Sequence, residues 1–154
     1  MNELQFKPRI AVLWVAVAVA SSAAVLLYLL IPGALEEMVA GQIEGEPLTD
    51  TVGYEMAVLV VLPLVMAAVT LLAGDRVSRW ASLVVGLVFG LFGAFMVGDH
   101  LVGGEFNGHV LLMVVGVFLG FLIVGLSAAG LRRSTAGTPT PHIEQERPSV
   151  GAAA

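Results

Sequence analysis

The chain contains no cysteine. Disulfides, thiolate metal sites and thiol nucleophiles are excluded, and the redox state of its compartment leaves no trace. Charge is scarce as well. Only 12% of the 154 residues are Asp, Glu, Lys or Arg, against about 25% in an ordinary soluble domain. The 7 Lys and Arg residues form no basic patch, so no nucleic-acid partner is expected. No nucleophile elbow, phosphate loop, dinucleotide fingerprint or His-Glu-x-x-His helix appears. An enzyme is therefore not expected, and neither is a cofactor. The long apolar runs carry no Asp, Glu, Lys, Arg or His away from their ends. Such residues are the default sign of ion or proton transport, so their absence counts against a proton-coupled pump.

What fills the sequence instead is apolar. Hydrophobic residues make up 58% of it, above the roughly 45–50% usual for a globular domain. Crossing the hydrocarbon core takes about 20 such residues. Runs of that order occupy about 10–31, 56–73, 80–98 and 109–131. The expectation is an all-α polytopic membrane protein: four transmembrane helices in an antiparallel bundle over residues 1–131, followed by a tail at 132–154. The tail is rich in Pro, Thr and Ala, with alternating charges at Glu144, Glu146 and Arg147. It has too little apolar surface to offset its ordering entropy, so disorder is expected. The basic leader and Ala18-Val19-Ala20 also resemble a secretory signal, but the apolar run continues well past that point to Ile31, which favours a span.

The third span organises this reading. It runs from a charged edge at Arg76 and Arg79, past Trp80 as an interfacial anchor, to Gly98-Asp99-His100. Ser82, Gly86 and Gly90 recur every four residues, a stripe of small side chains that lets a neighbouring helix approach closely. The fourth span repeats the pattern at Gly116 and Gly120, and these five positions are the expected packing contacts. Ala16, Ala20 and Ala24 form a weaker stripe on the first span. Pro63 lies inside the second span. Membrane helices tolerate proline because neighbours satisfy the freed carbonyl, and a kink about one turn before it is expected. The remaining polar residues in the spans, Ser21, Ser22, Thr70, Ser82 and Ser127, suit either bonds between helices or bonds to their own backbone at i−4, the simpler expectation.

Two loops link the spans on one side. In the first, Leu35, Met38, Val39 and Ile43 fall at helical spacing, which predicts a short amphipathic helix over Gly33 to Ile43 at the membrane surface. Gly45 to Asp50 reads as a turn. Both loops are acidic and lack Lys and Arg, whereas Lys7, Arg9, Arg76, Arg79, Arg132, Arg133 and Arg147 all fall on the opposite side. Short loops rich in Lys and Arg stay in the cytoplasm. Both termini are therefore expected inside, in the cytoplasmic membrane, with the acidic loops outside. Asp99, His100, Glu105 and His109 crowd the second loop. Imidazole and carboxylate suit a transition metal, but the spacing matches no standard site and a solvated polar loop is the expectation. The carboxylates between Glu36 and Glu55 lack the oxygen spacing and turn glycine of a calcium loop.

The run from Ile31 to Gly45, with Pro63-Leu64-Val65-Met66 and Val77-Ser78-Arg79-Trp80-Ala81-Ser82, resembles a family of small bacterial four-helix integral membrane proteins catalogued as a domain of unknown function. The resemblance covers about residues 10–130 and implies four helices but no activity. Members often carry an acid in the first helix, where this chain has only Ala and Ser among its small and polar residues. Two function classes follow. The first is a non-enzymatic interaction or accessory protein, associating with itself or another membrane protein in the bilayer. The alternative is a small carrier or binding protein for an apolar or neutral molecule, with its pocket near Pro63.

Overall fold

The computed structural model describes residues 6–43, 45–104 and 106–136. Its elements in order are α1 (Phe6–Tyr28), α2 (Ala34–Val39), β1 (Gln42–Ile43), β2 (Glu46–Pro47), α3 (Asp50–Leu72), α4 (Asp75–Val102) and α5 (Gly108–Ala136). Among the described residues, α1, α3, α4 and α5 are the helices long and apolar enough to cross a membrane. They bury little of themselves: 39% of the apolar window of α1 and 22% in each of the others. Val12, Leu26, Val61, Leu72, Phe95 and Phe118 are all exposed. Such a belt far exceeds the apolar patches that water-soluble monomers tolerate. It is the surface of a multi-pass membrane protein, whose helices satisfy their own backbone groups where no water can.

All four long helices begin ahead of their apolar stretches, but α1 stops at Tyr28, short of the expected end at Ile31. Hydrogen bonds propagate one residue at a time and do not require an apolar side chain, so α4 starts at Asp75 and α5 continues to Ala136. The connection expected over Gly74 to Arg79 shrinks to Ala73-Gly74, and the start of the expected tail, Arg132 to Ala136, is helical. Residues 137–154 lie outside the described part. The surface helix is shorter than expected. Gly33 (φ 90°) and Gly41 (φ 75°) bracket it in the left-handed region, and Gly41 ends it. Gly45 (φ 76°) then helps turn the chain so that Gln42 pairs with Pro47 and Ile43 with Glu46. The stretch expected as a plain turn is thus half of a small hairpin. Pro63 is fully buried within α3, which continues as one helix through it.

The core belongs mainly to α1. Ile10, Trp14 and Val17, one turn apart, are fully buried against Met66, Ala67 and Ile123. α1 lies along α3 and α5, α4 lies along α5, and α3 and α4 touch sparsely. One end of the bundle gathers Lys7, Ala73, Asp75, Arg79 and Gly130. Lys7 donates to the Ala73 carbonyl at 2.9 Å and pairs with Asp75 at 2.7 Å. One cation thus satisfies an orphan carbonyl at the end of α3 and holds an acid at the start of α4, where both helix dipoles favour it. Arg79 turns inward: it is buried, donates from Nη1 to the Gly130 carbonyl at 2.6 Å, and lies 4.9 Å from the Phe6 ring centre.

Next to this end runs a directed chain of buried hydrogen bonds. Thr70 Oγ1 donates to the Met66 carbonyl at 2.7 Å, which uses its only proton. Ser82 must therefore donate to Thr70 across 3.2 Å, and its own oxygen accepts from Trp14 Nε1 at 3.2 Å. Three helices are joined with every proton assigned.

Candidate functional site

Glycine sets how closely α4 and α5 approach. A Cβ added at Gly86 would lie 3.3 Å from methyls of both Ile123 and Val124, and one at Gly120 would lie 3.3 Å from the Gly90 Cα. One at Gly93 would come within 2.8 Å of a Val117 methyl. Gly86, Gly90 and Gly120 are thus together, with Ser82 at the Trp14 bond. Gly116 does not join them: a Cβ there meets nothing within 4 Å. It precedes Val117 by one residue, and one residue is about 100° around a helix of 3.6 per turn. Gly116 therefore faces elsewhere.

It faces a cavity of about 640 Å³ bounded by α1, α3, α4 and α5. Its body is made by Leu59 and Leu62 of α3, Phe89 and Met96 of α4, and Leu112 and Gly116 of α5. Its rim carries Tyr28 of α1, Thr51 and Glu55 of α3, His100 of α4 and His109 of α5. No Lys or Arg lines it among the described residues. The lining runs from Thr51 to Leu62 on α3 and from Val88 to His100 on α4. At about 1.5 Å per residue the cavity is roughly 17 Å deep, close to half the roughly 30 Å hydrocarbon core. Small-molecule pockets span about 300–1,000 Å³ and combine apolar walls with a few polar groups.

The rim is locally ordered. Asn107 Oδ1 accepts from the Val110 amide at 3.1 Å and caps the start of α5. That sets His109 in the first turn, where its Nδ1 lies 2.8 Å from the Ala24 carbonyl. A carbonyl has no hydrogen to give, so Nδ1 carries the proton and donates. The His109 ring stands 5.6 Å from Tyr28 and 5.8 Å, edge-on, from His100. Among the described residues no three His, Asp or Glu gather as a metal site. Asp99 lies beside His100 in the last turns of α4, while Glu105 is outside the described part.

The other polar positions divide. Ser22 bonds its own backbone at Ala18, 2.8 Å away, as expected. Thr70 does so too but also accepts from Ser82 of another helix. Ser21 lines the cavity, and Ser127 is fully buried. Ala20 and Ala24 are buried and Ala16 half-buried. No sequence motif singles out Trp14, Phe6, Gly93 or Gly130. Trp14 stands at helical spacing with Ile10 and Val17, a signal obscured because the whole span is apolar. No protein-family model, no curated protein and no solved structure matches the chain.

Proposed function

We propose that the protein is a non-enzymatic binding protein or carrier for one apolar or amphipathic small molecule, held in the cavity among its four long helices. The observation that supports this best is the cavity of about 640 Å³, with largely apolar walls and most of its polar groups gathered at one rim. Its depth of roughly 17 Å suits a molecule occupying one leaflet. We infer an antiparallel bundle in the cytoplasmic membrane with both termini inside. In support, Gly86 meets Ile123 and Val124, Gly90 meets Gly120 and Phe121, and Gly93 meets Val117, a register that rises on one helix as it falls on the other. Basic residues cluster at the Lys7 end and acidic loops at the His109 end, so the cavity opens in the outer leaflet. The cysteine-free background makes the orientation testable with single-cysteine variants. A membrane-impermeant maleimide applied to intact cells should label Glu37→Cys and spare Arg132→Cys.

An interaction or accessory role is the second reading. Sparse contact between α3 and α4 leaves a side on which a helix of another copy or of another membrane protein could lie. Native mass spectrometry after gentle release from nanodiscs separates the two. A recurrent extra mass on the protomer supports the binding reading. A defined oligomer without added mass supports the interaction reading.

A further inference from the structure

We infer that the cavity selects an uncharged amphiphile whose head group donates a hydrogen bond, a hydroxyl-bearing molecule such as a long-chain alcohol, and that His109 Nε2 is the accepting atom. This rests on the binding reading above and names the class of molecule bound.

The argument begins at the backbone. His109 Nδ1 is committed as a donor to the Ala24 carbonyl at 2.8 Å. In the neutral ring the other nitrogen then holds a lone pair and no proton, so it can only accept. His109 lines the cavity at its rim, and with Nδ1 taken by Ala24, Nε2 is the ring nitrogen left to meet a bound molecule. The capped first turn of α5 and the Tyr28 ring keep the imidazole in place. Glu55 adds a carboxylate to the same rim, and no Lys or Arg is present in the lining among the described residues. An anionic head would meet the like charge of Glu55 with no Lys or Arg in the lining to offset it, which disfavours it. An ether head of the same length would fill the cavity but leave the His109 acceptor without a donor. A hydroxyl satisfies it. The chain of the amphiphile would run down the apolar body toward Leu62 and Phe89.

The test is native mass spectrometry of the full-length protein in a mild detergent at mildly alkaline pH, titrated separately with myristyl alcohol, its methyl ether and myristic acid. The alcohol should bind about fivefold more tightly than the ether, the worth of one ordinary hydrogen bond, and more tightly than the acid. His109→Ala should bring alcohol and ether to parity. Should that variant fail to fold, the wild-type ranking alone decides. Equal binding of alcohol and ether, or tighter binding of the acid, overturns the inference while leaving the cavity as a binding site. Gly116→Leu fills open space in the cavity body without touching the rim and should weaken all three probes together. If no probe binds the wild type, or if Gly116→Leu leaves the binding of all three unchanged, the binding reading itself fails.

Discussion

The two ends of the bundle are built from the same four helices but solve opposite problems. At the Lys7 end, polar side chains bond one another and the backbone across helices, and the space between them is filled by Trp14, Ile10 and Ile123. At the His109 end, polar side chains ring a void. Connectivity explains the difference. α3 and α4 are tied by the short Ala73-Gly74 link at the Lys7 end and must stay together there. No direct link joins them at the other end, where α3 is preceded by the long segment containing α2 and the hairpin. The cavity lies at the end where α3 and α4 have no link.

The strongest way to break this contrast is to remove what fills the tight end. Trp14→Ala deletes the largest fully buried side chain and the donor at the head of the hydrogen-bonded chain. A loss of about 3–5 kcal/mol is expected, read as a large fall in the midpoint of thermal unfolding in detergent. Gly120→Leu comes next. Its side chain must displace the Gly90 backbone, at 3.3 Å from the new Cβ, and should cost about 1–3 kcal/mol or more by overpacking. Ser82→Ala leaves the Trp14 indole proton buried with no acceptor and removes the donor to Thr70. About 1–3 kcal/mol is expected, with Trp14→Phe in the Ser82→Ala background recovering part of it in a double-mutant cycle. Lys7→Met should lower the unfolding midpoint only slightly, because the Lys7–Asp75 pair is solvent-exposed and screened. Ser127→Ala has the smallest effect. The hydroxyl is fully buried with no hydrogen-bond partner among the described residues, so its removal should be neutral or slightly stabilising.

Which parts of this were legible beforehand follows from the physics of each. The long helices announce themselves, because an apolar run of membrane length has few alternatives. Their ends do not: the polar residues at Asp75, Arg79 and Arg132 continue a helix as well as they would leave it. The spacing of Ser82, Gly86 and Gly90 shows that they share a face, but spacing within one helix says nothing about where the partner's face points. Gly116 and Gly120 share a stripe in sequence and still meet different surroundings, open space for one and the Gly90 backbone for the other. Arg79 read as a rim charge, since burial of its guanidinium depends on Phe6 and Gly130, far away in the chain. The cavity was the least legible feature. Ordinary Leu, Phe and Met side chains line it, and it arises from how four helices diverge rather than from any motif. A pocket near Pro63 was expected from a kink. The cavity ends beside it at Leu62 and is formed by the gap between α3 and α4.

The contrast between a filled end and a hollow end can be tested by making one substitution at both. Gly86→Leu and Gly116→Leu change the same residue in the same way within two membrane helices, one at 3.3 Å from neighbouring methyls and one in open space. Thermal unfolding of both variants in the same detergent, beside the wild type, is the measurement. Gly86→Leu should unfold well below the wild type and Gly116→Leu at or above it. Equal losses in the two variants would contradict the account, because the His109 end would then be as tightly filled as the other.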